Sequence, residues 1–150
     1  MKTDEWFSIY LKWLTKSDLG IQGSLKDNNH GSWYKFQVAS LAFYIGGILL
    51  VKDMVISAQK SLDDMLDSEG GQTHELARSR SFFYSCFNLQ TLVNIAVLGN
   101  KVGENMWHYT SENNKSLALA IDYLTPVVNG KKWNHKTLKS IDISELIPII

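Results

Sequence analysis

The chain has 150 residues, a length that suits one domain. Its 15 basic and 15 acidic side chains cancel, so the totals give no support to a nucleic-acid or membrane-surface binder, which shows a basic patch. Apolar residues make up 45% of the chain, enough to bury a sizeable core.

Trp6, Phe7, Tyr10, Leu11, Trp13 and Leu14 recur at helical spacing. They predict a first helix, capped by Thr3 or Asp4 and ending near Ser17 to Gly20. The polar stretch from Gly23 to Gly31 reads as a loop. A second helix is expected from Ser32 as its N-cap, with Trp33, Phe36 or Gln37, Ser40, Leu41 and Tyr44 around its faces, until Gly46-Gly47 breaks it. A third runs from Ile48 to Leu66, with Leu50, Met54, Val55, Ala58, Leu62 and Met65 as its apolar stripe. Asp67 to Gly71 is turn-rich. A fourth helix spans Ser79 to Leu98 and is closed by Gly99 to Gly103. Trp107-His108-Tyr109 falls in an irregular segment. A fifth helix covers Lys115 to Leu124, with Pro126 at its end. Val128 to Thr137 reads as loop, and Ser144 to Ile150 begins a sixth helix that Pro148 weakens. No β-rich block interrupts the pattern, so the fold class is all-α, built of antiparallel helical hairpins. Periodicity alone does not choose among a bundle, a solenoid and a closed toroid.

No stretch of about 20 apolar residues offers itself as a membrane span. The start, Met1 to Trp6, lacks the apolar core of a signal peptide. Cys86 is the only cysteine and lies in an apolar run, which makes it a small buried hydrophobe rather than a nucleophile. The four histidines lack metal-ligand spacing such as His-Glu-x-x-His. His74 lies in a polar loop, while His108 and His135 stand beside tryptophans and read as partly packed.

Two polar segments remain. The first is Asn28-Asn29-His30-Gly31-Ser32-Trp33-Tyr34, a loop that leads into a helix. A helix start offers free backbone amides and a positive dipole end, which welcome an anion. An Asx-type turn with Asn28 as cap explains the same residues without a ligand. The second is Glu75-Leu76-Ala77-Arg78-Ser79-Arg80-Ser81-Phe82-Phe83-Tyr84. On a continuous helix Arg80 and Tyr84 share a face, and Arg78 lies at the entrance. The planar guanidinium fits a carboxylate. The alternative is a Tyr84 packed among Phe83 and Phe87, with both arginines solvated.

Together the two segments resemble the paired signatures of the bacterial alginate lyases: Asn-Asn-His-Gly-x-Trp-Tyr, then Glu-Leu-Ala-Arg followed by Tyr84 and Ser85 to Leu89. The similarity runs from about Leu25 to Trp133. It implies an incomplete α/α toroid with a deep groove, acting without metal or organic cofactor on an acidic polysaccharide such as alginate. By that resemblance Asn29, His30 and Arg78 would neutralise the substrate carboxylate, and Tyr84 would serve as base, acid or both. Arg80 would share the role of Arg78. Trp33, Asn28 and Glu75 would also bind substrate, Glu75 orienting Arg78 or simply opening a helix. Family members are about twice this long, so the chain reads as residues 1–150 of a partial toroid domain whose exposed apolar helix faces invite association. A periplasmic or secreted setting follows from the resemblance. Two other readings fit the same residues: a noncatalytic carbohydrate-binding remnant, and a helical interaction module.

Overall fold

A computed structural model describes residues 2–146 and is all-α. Its helices are α1 (Thr3–Lys16), α2 (Asp18–Ser24), α3 (Asn29–Tyr44), α4 (Ile48–Met65), α5 (Thr73–Leu76), α6 (Ser81–Val102) and α7 (Leu117–Val128), followed by a 3₁₀ turn at Ile143–Glu145. Among the described residues extended pairing is limited to two isolated bridges, Leu66 with Gln72 and Arg80 with Thr137.

Helices α3, α4 and α6 pack against one another and carry most of the core. Val38, Ala39 and Ala42 of α3 face Val51, Val55, Ala58 and Leu62 of α4, and Leu89, Leu92, Ile95 and Ala96 of α6, all buried. Each buried Leu, Ile or Val contributes roughly 1.5–3 kcal/mol over an exposed one. The small side chains among them let the helix axes approach. Gly99 belongs to this contact: a Cβ there would lie 3.1 Å from Val55 Cγ1 and 2.5 Å from the Glu104 carbonyl oxygen. It is therefore a packing residue inside α6, and the helix closes later, on Gly103 with φ of 79°. α7 leans on α6 through Leu117, Ala120 and Leu124, while α1 and α2 flank α3.

Several expected boundaries move. Neither Thr3 nor Asp4 caps α1; Lys2 is the N-cap and gives no side-chain bond. The expected loop from Gly23 to Gly31 is helical at both ends, because Ser17 caps α2 and Asn28, four residues ahead of Ser32, caps α3. α6 starts at Ser81 rather than Ser79. Ser116 caps α7, and Pro126 sits within its last turn, which ends at Val128. In place of a sixth helix at Ser144 there is the 3₁₀ turn, and Ile147 to Ile150 lie outside the described residues.

α6 also corrects the expectation about membranes, since it is long and apolar enough to cross one by length and composition. More than half of its most apolar window is buried inside the fold, as in the core helix of a packed protein. Apolar side chains are exposed elsewhere, on the outer face of α1 and α2 (Trp6, Ile9, Trp13, Leu19) and around the α3–α4 turn (Tyr44, Ile48, Leu49).

Two ties hold the start of α6. Arg80, its N-cap, provides no side-chain cap, and the Ser81 N–H instead donates to the Lys136 carbonyl at 3.3 Å. The Ser81 hydroxyl donates to that same carbonyl at 2.5 Å and accepts from Trp133 Nε1 at 2.9 Å. The chain after α7 is thereby strapped across the first turn of the helix that carries Tyr84.

Candidate active site

Asn29 and His30 are the first two residues of α3. The Asn28 side chain accepts from the His30 N–H at 3.1 Å, and its carbonyl accepts from Gly31 and Ser32. This is the Asx-type cap that the sequence offers, and it engages both Asn28 oxygens. The Asn29 N–H donates to Glu75 Oε1 at 2.7 Å, and Asn29 Nδ2 donates to Glu75 Oε2 at 3.0 Å. The anion at the α3 N-terminus is thus an internal carboxylate. No free backbone amide of that first turn awaits an external one, which corrects the expectation from the helix start.

Glu75 itself is 1% exposed, with both oxygens engaged by Asn29. Its carbonyl accepts from the Arg78 N–H at 3.0 Å, but its side chain turns to Asn29 and is buried away from the surface, so the carboxylate does not stand among the substrate-facing groups expected of it. The short helix α5 is fixed from its other end: Gln72 Nε2 donates to the Ser85 carbonyl at 2.9 Å, and Gln72 Oε1 accepts from Asn88 Nδ2 at 2.8 Å. α5 therefore bolts α3 to α6.

After α5 the chain turns, and Arg78 crosses the face of Tyr84, its guanidinium carbon 4.0 Å from the ring centroid. A cation held over an aromatic face is attracted by the ring quadrupole, by about 0.5–1 kcal/mol where exposed and more where desolvated. Arg80 goes the other way. It is the N-cap of α6: its carbonyl accepts from the Tyr84 N–H at 3.0 Å, but its own backbone is not helical (φ −120°, ψ 60°), so its side chain does not share the Tyr84 face. Its guanidinium stacks over Phe83 at 4.2 Å and pairs with Glu145 at 3.2 Å. Burial raises the Glu145 carboxyl above its ordinary range, and the nearby Arg80 charge partly reverses that. Arg80 consequently does not share the position of Arg78.

Asn29, His30, Trp33, Arg78 and Tyr84 all line one hollow of about 590 Å³ between α1, α3 and the start of α6. Its floor is aromatic: Trp33 lies on Phe87 at 4.9 Å, Phe87 on Phe83 at 5.8 Å, and Phe83 meets Tyr84 edge-on at 5.2 Å. So Tyr84 packs with Phe83 and also opens to the hollow. Tyr10 and Trp13 of α1 close the near side. Tyr34 also lines the hollow; its hydroxyl donates to the Leu14 carbonyl at 3.3 Å, tying α3 to α1, and burial raises its phenol pKa. The amide, imidazole, guanidinium and phenol thus converge, while Asn28, Glu75 and Arg80 lie outside the lining.

The remaining histidines are placed elsewhere. His74 is exposed, His108 is hydrogen-bonded to Asn105, and His135 is 2.5 Å from the Tyr123 hydroxyl beside Trp133. Among the described residues no three His, Cys, Asp or Glu gather as a metal centre. Cys86 is buried, and its thiol pKa is pushed up to about 12, by burial first and the Glu145 charge second.

The fold superposes on that of an alginate lyase from Bacteroides ovatus with a TM-score of 0.89, at 25% sequence identity, over 97% of this chain and 39% of that chain. This chain therefore spans about two fifths of the length of the structure it resembles. Among curated proteins no sequence matches. The family model of the alginate lyases matches residues 1–134, which include every residue lining the hollow. By that match over most of its length, the chain belongs to the alginate lyase family.

Proposed function

We propose that this chain forms the catalytic face of a polysaccharide lyase, an arc of an α/α toroid that cleaves a uronic-acid polymer by β-elimination. The observation that carries this reading is the convergence of Asn29, His30, Arg78 and Tyr84 on one hollow, with Arg78 laid across Tyr84.

The proton on C5 of a uronate is adjacent to the carboxylate. Its removal moves negative charge onto that group, so donors aimed there stabilise the transition state more than the ground state. Arg78, His30 and the Asn29 amide are those donors. The electron pair left on C5 forms the C4–C5 double bond and expels the glycosidic oxygen from C4, which takes a proton. Where hydrogen and leaving group lie on the same side of the ring, Tyr84 accepts the first proton and delivers the second. Where they lie on opposite sides, His30 accepts and Tyr84 donates. The aromatic floor of Trp33 and Phe87 offers a stacking surface for the sugar ring. The setting is periplasmic or extracellular, where such polymers are met.

The test supplies alginate or glucuronan and follows the ultraviolet absorbance of the unsaturated sugar end. Wild type raises it and Tyr84→Phe does not, while affinity for the polymer persists. Because the chain spans 39% of its structural relative, a second reading is a noncatalytic polyuronate binder. That reading predicts affinity lost with Arg78→Ala and a flat absorbance trace from wild type.

A further inference from the structure

We infer that Glu75 is a positioning residue: it presets the Asn29 amide for a substrate carboxylate and, by filling the α3 N-terminus itself, leaves recognition of that carboxylate to side chains. The inference rests on the lyase reading for its consequence but on separate geometry for its substance.

A carboxylate presents acceptors only, and both Glu75 oxygens are taken by one residue, through its backbone N–H at 2.7 Å and its side-chain Nδ2 at 3.0 Å. The acceptor pair therefore dictates that the NH₂ end of the Asn29 amide faces α5. One Nδ2 hydrogen is used, and the other remains on a residue that lines the hollow. Both partners are nearly inaccessible, Asn29 at 2% and Glu75 at 1%, so water does not substitute for either. Glu75 is itself held, because Gln72, three residues earlier, is bonded to α6 at Ser85 and Asn88. Asn29, Arg78 and Tyr84 are thus placed from a common support, with Gln72 gripping α6 and Glu75 gripping α3.

Filling the helix N-terminus has a second effect. The positive end of a helix ordinarily attracts an anion. Here Glu75 meets it, so the attraction that remains for a sugar carboxylate comes from Arg78, His30 and the spare amide hydrogen. Removing the Glu75 charge while keeping its shape should disturb the Asn29 amide without disturbing Arg78 or Tyr84.

Glu75→Gln does this, since its oxygen still accepts from the Asn29 N–H while its NH₂ group meets Asn29 Nδ2, donor against donor, and forces the Asn29 amide to turn. In wild type, the Asn29 side-chain NH₂ resonances in ¹⁵N-labelled protein should be shifted and slow to exchange with solvent. Glu75→Gln should move them and speed their exchange. With polyuronate, Glu75→Gln should lower kcat on the order of 10²-fold, with a smaller change in KM. In an Asn29→Ala background it should lower kcat less than about twofold, as expected of a group acting through Asn29. Equal losses in both backgrounds, or unchanged resonances, overturn the inference. Where wild type shows no elimination, the lyase reading fails by itself, and the amide resonances still decide the positioning. Should Glu75→Gln fail to fold, Glu75→Asp retains two acceptors one methylene further back and should leave the resonances shifted part-way. Resonances identical to wild type in Glu75→Asp would likewise overturn the inference.

Discussion

Gly31, inside the first polar signature, tests how the site loop is held. A methyl group added there would lie 1.8 Å from the Lys26 carbonyl oxygen and 2.9 Å from its carbon. Cβ contacts in proteins essentially never fall below 3.0 Å, and the obstacle is backbone, which cannot rotate aside. The gap must open by more than ~1 Å, an overpacking that typically destabilises by about 1–3 kcal/mol. Against this, alanine in place of glycine in a helix stabilises by at most about 1 kcal/mol. Subtracting the second from the first leaves about 0–2 kcal/mol. Because the obstacle is backbone at 1.8 Å, Gly31→Ala should fall in the upper half of that range, about 1–2 kcal/mol, and should melt lower by roughly 2–4 °C per kcal/mol. Gly23 provides the opposite sign. Its added methyl would meet only Tyr34 Cδ2, at 3.7 Å, so Gly23→Ala should gain about 0.4–1 kcal/mol. Urea unfolding followed by circular dichroism measures both. A Gly31→Ala protein as stable as wild type would refute the reasoning, because it would mean that the α2–α3 loop yields freely. The same ~1 Å displacement would move Asn29 and His30, and a misplacement of that size lowers catalytic rates by about 10²-fold.

Three further outcomes are expected. Burial depresses the Lys35 ammonium below its ordinary pKa, with Asp27 pulling part-way back. The unfolded chain then binds more protons at that site up to about pH 10.5, so its contribution to stability rises with pH through that window. Lys35→Met should stabilise at neutral pH by an amount that shrinks as pH climbs toward 10, and a pH-independent difference in urea titrations would count against this. Cys86, buried and with its thiol pushed up to about 12, should resist a thiol reagent at pH 8 until denaturant is added; rapid labelling of the native protein would contradict its placement. Phe82 is 1% exposed and meets Trp133 edge-on at 5.3 Å, so Phe82→Ala should lower unfolding free energy by about 3–5 kcal/mol. A loss under ~1 kcal/mol would show that this corner of the core collapses around the void.

Much of the molecule was legible in the sequence wherever apolar period and helix coincide. The α4 stripe is the clearest case: Val55, Ala58, Leu62 and Met65 are buried as their spacing requires, and Leu50 and Met54 pack partly against the core. The failures share a cause. Gly31 and Gly99 read as punctuation, yet both are helical, kept small by a neighbour pressed against the backbone. Such close approach is a tertiary fact that local sequence does not carry. The convergence of Asn29, His30, Arg78 and Tyr84 followed from the paired signatures, whereas Arg80 was misjudged because it is the non-helical N-cap of α6 and its side chain goes to Phe83 and Glu145. Glu75 was noticed but assigned to the wrong neighbour. Its partner lies 46 residues away, and only the packing of α5 between α3 and α6 brings them together.

The strap across α6 gives the far end of the polypeptide a say in where Tyr84 stands. Trp133 and Lys136 hold the opening turn of that helix by way of Ser81. A break or insertion between α7 and Trp133 would leave the four converging side chains untouched in composition yet loosen the phenol by letting its helix unwind from the front. Engineering of this scaffold should therefore treat residues 133–138 as part of the tyrosine's mounting, and place tags or cuts beyond them.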